Sequence, residues 1–187
     1  MTSVNKPYPA PLARDPDSAA GFASPKSHSP GSPGTTAKLA SDELWMEEAL
    51  LCAQRALEAG EVPVGAVVVY DGRVVGRGWN RNLTDCDPTA HAEIVALREA
   101  GRSVGNHRLG SCELFATIEP CAMCAGALVH ARLRRLVYGA EDPKAGAVHS
   151  ILQVVNHPRL NHQMEIRGGV LAGRAAEVLQ QFFRNRR

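Results

Sequence analysis

Long apolar runs are missing from this 187-residue chain. No stretch reaches the roughly 20 residues that a membrane-spanning helix needs, and none reads as the core of a secretory leader. Both absences argue against an integral membrane protein and against export. A surplus of charge is missing as well: 21 Lys and Arg stand against 19 Asp and Glu, and beyond Ala40 each sign counts 17. Net charge therefore selects no class of partner, although a neutral domain can still carry basic patches. No internal repeat is visible, and no second Cys-x-x-Cys accompanies the one at Cys121 and Cys124. The five cysteines fit a reducing cytoplasm better than a disulfide framework.

Large apolar side chains are also scarce from Met1 to Ala40, a segment with seven of the 12 prolines and much Ser, Gly and Ala. It cannot bury enough surface to offset chain entropy, so residues 1–40 are expected to form a disordered extension. Its single arginine, together with Asp15 and Asp17, argues against a transit peptide. What remains, residues 41–187, suffices for one domain with a proper core.

In that domain Ser41 can cap a helix from about Asp42 to Ala59, with Met46, Leu50, Ala53 and Leu57 as its apolar stripe. Asp71-Gly72 between two β-rich runs, 64–70 and 73–79, is a strong hairpin signal. A second helix, capped at Thr89, is expected to stop at Gly101. Residues 113–117, a helix with Pro120 in its first turn, and residues 136–139 read as a strand–helix–strand unit with parallel pairing. After Pro143 a loop and short helix lead to a strand near 165–170 and a closing helix over 175–183. The expected fold is α/β: a five-stranded mixed sheet between helical layers.

Two short stretches carry chemistry. His91-Ala92-Glu93 and Pro120-Cys121-Ala122-Met123-Cys124 together offer one imidazole, two thiolates and a carboxylate. Alone, each half is ambiguous: His-x-Glu arises by chance, and Cys-x-x-Cys also occurs in zinc ribbons and redox dithiols. A ribbon needs a second Cys-x-x-Cys, which Cys52, Cys86 and Cys112 do not make, and no Trp precedes Cys121 as in a redox motif. Taken jointly, the order H-x-E then P-C-x-x-C is the zinc deaminase signature. Three protein ligands (His91, Cys121 and Cys124) leave a catalytic zinc one open position for water, and Glu93 is the natural proton carrier. One Zn2+ per chain is expected, approached by two helix N-termini. At the other end, Phe182-Phe183-Arg184-Asn185-Arg186-Arg187 reads either as a solvated helix end whose Phe pair packs on the core or as a grip on phosphate and bases. Composition favours the former.

The resemblance extends beyond the metal signature. Trp79-Asn80-Arg81, the run from Asp87 to Glu93, Glu119 to Ala127, Val137 to Ala140, Glu61 to Ala66, Asp142 to Ala147 and the terminal Phe182-Phe183-Arg184 resemble the bacterial tRNA adenosine deaminases, within the cytidine and deoxycytidylate deaminase superfamily. That resemblance runs from about Ser41 to Arg187. It implies hydrolysis of adenosine to inosine at the wobble position of an arginine tRNA, a homodimer, and a cytoplasmic enzyme. It implies Asn80 against the flipped base, Val62 lining the cavity, Asp142 near a neighbouring ribose, and Lys144, Phe183, Arg184 and the last arginines toward the anticodon loop. Two departures stand out: His149 where the family commonly has Gly, and residues 1–40, which match nothing in the family pattern. Rival readings are a guanine or nucleotide cytidine deaminase, which share the zinc signature, and a non-catalytic deaminase-like RNA-binding subunit.

Overall fold

A computed structural model describes residues 35–186. Those residues form α1 (Thr35–Glu58), β1 (Gly65–Tyr70), β2 (Arg73–Trp79), α2 (Ala92–Val104), β3 (Glu113–Ile118), α3 (Ala122–His130), β4 (Arg135–Ala140), β5 (Glu165–Arg167) and α4 (Ala172–Arg184). The strands make one sheet in the order β2-β1-β3-β4-β5. β1 pairs antiparallel with both neighbours, while β3–β4 and β4–β5 are parallel, so β1 alone runs against the rest. This is the expected five-stranded mixed sheet.

Strand alternation sorts the core into two faces. Val67 and Val69 of β1 join Phe115, Val137 and the Met46, Ala49 and Cys52 stripe of α1. Ala66 and Val68 point the other way, into a larger cluster with Ala92 and Ala96 of α2 and Ala125 and Leu128 of α3. With both faces covered, β1 reads as a continuous apolar run rather than an alternating one. Its turn into β2 has Asp71 and Gly72 at φ 49° and 68°, the two positive values that a type I′ hairpin needs.

The contact of α2 with β2 is close enough to dictate residue type. A Cβ at Gly78 would overlap the backbone carbonyl oxygen of Ala92, at the very start of α2. Gly78→Ala is expected to cost roughly 1–3 kcal/mol by overpacking and to displace that helix start; thermal unfolding checks the first and bound metal the second.

Several expected boundaries shift. α1 begins at Thr35 rather than Asp42, so Ser41 lies inside a helix instead of capping it; helix-forming Ala and Leu continue the spiral upstream, and Lys38 Nζ holds the added turn to Glu165 at 2.7 Å. The expected extension thus overlaps α1 at residues 35–40, and its residues 1–34 lie outside the described ones. Thr89 is not the N-cap of α2, because Asp87 Oδ1 takes both its amide and its hydroxyl; His91 occupies the cap position. Gly101 sits within α2, which ends at Val104 with Gly105 as its cap. Pro120 precedes α3 rather than entering its first turn, since Cys121 is extended at the cap. No helix occurs among residues 141–164, where turns and side-chain contacts hold the chain; the last strand stops at Arg167, and α4 starts at Ala172.

Candidate active site

The two chemical stretches meet at two helix starts. His91 is the cap residue of α2 and Cys121 that of α3, with Cys124 at its third position. The imidazole nitrogen and both sulfurs lie within 4.8 Å of one another. His91 Nδ1 is 3.6 Å from Cys121 Sγ and 3.6 Å from Cys124 Sγ. Around a tetrahedral zinc, with metal–sulfur bonds of about 2.3 Å and metal–nitrogen bonds of about 2.0–2.1 Å, nitrogen and sulfur stand about 3.6 Å apart. The donor set therefore fits that ion. Among the described residues no fourth His, Cys, Asp or Glu joins the three.

Electrostatics agree with a site built for a cation. Hydrogen bonds from Cys124 and His91 hold the Cys121 thiol down at about 3. Cys124 is pushed far up, first by its bond to Cys121, then by burial and by Glu93. The hydrogen bond with Cys121 raises His91. These donors thus share protons that a dication would replace, with the α3 N-terminus adding to thiolate stability. Glu93, in the first turn of α2 and 3% exposed, has its carboxyl pushed up by burial.

A cavity of about 720 Å³ opens above this cluster. It brings together nearly every residue singled out from sequence: Val62, Asn80, His91, Glu93, Cys121, Asp142, Lys144, Phe183 and Arg184 all line it, and Cys124 is buried beneath. Asn80 Oδ1 accepts the amide of Ala92 at 3.0 Å. That bond fixes the orientation of the amide, whose N–H2 makes no hydrogen bond to the described residues. Asp142 turns Oδ1 onto its own loop, accepting from the amides of Lys144 and Ala145 at 2.9 and 3.1 Å.

The terminal aromatic and basic cluster divides between its two readings. Phe182 is buried and lies edge-on to Phe183, which is 49% exposed at the cavity with Arg184. Arg186 stacks over Phe182 at 4.2 Å and donates to the carbonyl of Gly60 at 2.6 Å, so it serves the protein's own packing. Arg187 lies outside the described residues.

Two buried carboxylates at this site carried no role in the sequence reading. Glu61, 2% exposed, accepts the amide and hydroxyl of Thr84 and so ties down the 80–91 connection. Glu119, 1% exposed, gathers donors from residues 142–150. Burial pushes Glu119 up, but the amides of His149 and Ser150 and the Ser150 hydroxyl outweigh it and hold the carboxyl at about 2. An acidic residue beside apolar positions was the available signal for both.

A family model for MafB19-like deaminases matches residues 40–187. A tRNA-specific adenosine deaminase of Haemophilus influenzae is 47% identical over 147 residues, 78% of this chain and 85% of that protein. A structure solved in work on A-to-I editing by tRNA:A34 deaminases at the wobble position of transfer RNA is 46% identical, covering 73% of this chain and 99% of that one, with a TM-score of 0.70. A guanine deaminase from Nitrosomonas europaea is more distant, 25% identical over 75% of this chain and 83% of that one, with a TM-score of 0.64. With its zinc-fitting cluster, its sheet and relatives that match along most of their length, the chain belongs to the deaminase family of the bacterial tRNA-specific adenosine deaminases.

Proposed function

We propose that this protein deaminates adenosine to inosine at the wobble position, 34, of a tRNA, an arginine tRNA being the substrate the resemblance implies, as a cytoplasmic homodimer. One observation carries the reading: a three-donor cluster and a buried carboxylate lie at the base of a single cavity whose rim bears a cation, an aromatic ring and an amide. His91, Cys121 and Cys124 would hold one zinc ion per chain. When bound, that ion supplies the Lewis acidity that brings the pKa of a water toward about 7, making a nucleophile available at neutral pH.

The chain's own residues do the rest. Glu93 takes one proton of the attacking water and delivers it to adenine N1 as the water oxygen bonds to C6; it then takes the remaining proton of the C6 hydroxyl and passes it to the amino group, which leaves as ammonia as the C6–N bond breaks. Burial raises the Glu93 carboxyl and so favours its holding a proton between the two transfers. Asn80, its oxygen engaged by Ala92, offers N–H2 donors to a purine ring nitrogen. Val62 packs against the base, and Asp142 keeps Oδ2 for a ribose hydroxyl. Lys144 and Arg184 meet phosphates while Phe183, half exposed, stacks on a splayed base. An anticodon loop suits this cavity because its bases are already partly unstacked, which lowers the cost of flipping one out.

Purified protein should contain one zinc per chain by atomic absorption, and Cys121→Ser should lose it. Offered tRNA, guanine and dCMP in parallel, the wild type should release ammonia from tRNA and leave inosine at position 34. Ammonia from guanine or dCMP alone identifies the rival deaminases, and metal with no turnover identifies a binding subunit. Light scattering reads the dimer. No described helix is long and apolar enough to cross a membrane.

A further inference from the structure

The connection from β4 to β5, residues 141–164, contains no helix or named strand, yet its first part lines the substrate cavity through Asp142, Pro143, Lys144 and Ala145. Irregular connections longer than about 15 residues are uncommon in compact domains and are usually functional when present. A segment of this kind that turns inward must satisfy its backbone amides without the help of a ladder or helix. Gly146, Ala147 and Val148 are buried.

Glu119 supplies the missing acceptors. Its Oε1 takes three successive amides, Val148 at 2.9 Å, His149 at 2.7 Å and Ser150 at 3.0 Å. Its Oε2 takes the amide of Asp142 at 3.1 Å and the Ser150 hydroxyl. One carboxylate therefore closes the start of the segment onto residues 148–150, with Lys144 and Ala145 on the turn between. Neighbouring contacts lock the same seam: Ala147 donates to the carbonyl of Pro120 at 2.8 Å, and Gly146 bridges to Cys121. The approach is so close that a Cβ on Gly146 would overlap the Glu119 carboxylate.

The arrangement leaves Glu119 no part in proton movement. Two carboxylate oxygens offer about four lone-pair sites, and five donors already converge on them. We infer that Glu119 is a positioning residue: its carboxylate clamps residues 142–150 onto the turn that carries Cys121, and so sets where Asp142 and Lys144 meet the substrate relative to the metal cluster. Sequence neighbours of Cys121 thereby serve two tasks, metal holding on one side and presentation of the substrate loop on the other.

This inference rests on the proposed function for the identity of the substrate and for the part that Asp142 and Lys144 take in meeting it. Glu119→Gln keeps the shape but turns one acceptor into an N–H2 aimed at N–H donors. Amide hydrogen exchange without RNA should accelerate at least about tenfold at residues 142 and 148–150 and stay unchanged in β1 and β3. With an anticodon stem-loop RNA, KM should rise at least about tenfold while kcat stays within about threefold, since what is lost is placement of binding groups. Should Glu119→Gln fail to fold, Ser150→Ala removes one donor and leaves the three Oε1 amides; exchange at 148–150 and KM should then both rise about two- to threefold. Wild-type exchange in the variant overturns the clamp. Accelerated exchange with unchanged KM overturns its link to the substrate. Wild-type protein inactive on RNA overturns the proposed function instead, and the exchange measurement still decides the clamp.

Discussion

Glu93→Ala is expected to lower the rate of inosine formation by on the order of 10²–10⁴-fold, the range that positioned acid–base groups contribute. Zinc should remain, because the donor cluster of His91, Cys121 and Cys124 does not include Glu93. The variant should also be at least as stable as the parent. A carboxyl 3% exposed, with its ionisation opposed by burial, is held at a cost to folding, and removing such groups from active sites commonly relieves it. The three readouts together separate a proton carrier from a residue that merely packs: turnover measured by inosine, metal by atomic absorption, stability by thermal melt. Turnover within tenfold of wild type would falsify the role.

The second large effect concerns stability and lies at the other end of the sheet. Asp42 of α1, fully buried, binds Arg135 of β4 through both oxygens, at 2.6 and 2.8 Å, and also takes Arg167 of β5. Arg135, 3% exposed, reaches on to Glu113 and Glu165 at 3.0 Å each. One cationic side chain thus joins α1, β3, β4 and β5. Asp42→Ala leaves that guanidinium buried with reduced compensation. Breaking such a pair costs roughly 3–5 kcal/mol, and the low end applies here because Glu113 and Glu165 remain. For a domain of this size about 3 kcal/mol lowers Tm by roughly 6–12 °C. Lys38, paired with Glu165 but 43% exposed, should cost under about 1 kcal/mol when replaced by Ala.

The same network sets an acid limit. Burial pushes the Asp42 carboxyl up, but Arg135 and Arg167 outweigh it, so its folded pKa lies below the ordinary carboxylate value. A depressed folded pKa means stability that is fully present above the unfolded pKa of about 3.9 and is lost as pH falls through the lower folded value. Denaturant titrations from pH 6 to pH 2 should show the wild type losing more stability than Asp42→Ala below about pH 4. Parallel curves for the two proteins would remove Asp42 from the acid transition.

How much of the site could be read from the chain depended on distance along it. His91 and Glu93 lie two residues apart and Cys121 and Cys124 three apart, so ligand type and spacing are local facts, and the order of the two stretches completes the signature. The hairpin at Asp71-Gly72 and the parallel strand–helix–strand unit were legible for the same reason. Helix ends were not. Thr89 looks like a cap, but Asp87 takes its hydroxyl, and a hydrogen bond already spent cannot cap a helix. Ser41 looks like a cap too, yet helix-forming residues before it and the contact of Lys38 with Glu165 carry α1 further upstream.

The terminal cluster shows how far composition reaches. Phe182, Phe183, Arg184 and Arg186 are four neighbours of two residue types, and the chain alone does not say which pair faces inward. The folded chain settles it: Phe182 turns to the core, and Arg186, beyond the end of α4, stacks on it, while Phe183 and Arg184 turn to the cavity.

By itself, then, the sequence determined the donor set, its order, the strand and helix types and the deaminase chemistry they permit, because residue identity and short spacing are enough to specify ligands and periodicity. Only tertiary structure decided that Glu119 and Glu61 hold the two connections at the cavity, that Asp42 and Arg135 tie four elements together, and that the Asn80 oxygen accepts the amide at the start of α2. Those assignments depend on where buried backbone amides and charges find partners 12 to 93 residues away, and the pattern of neighbouring residues along a chain carries no record of such pairings.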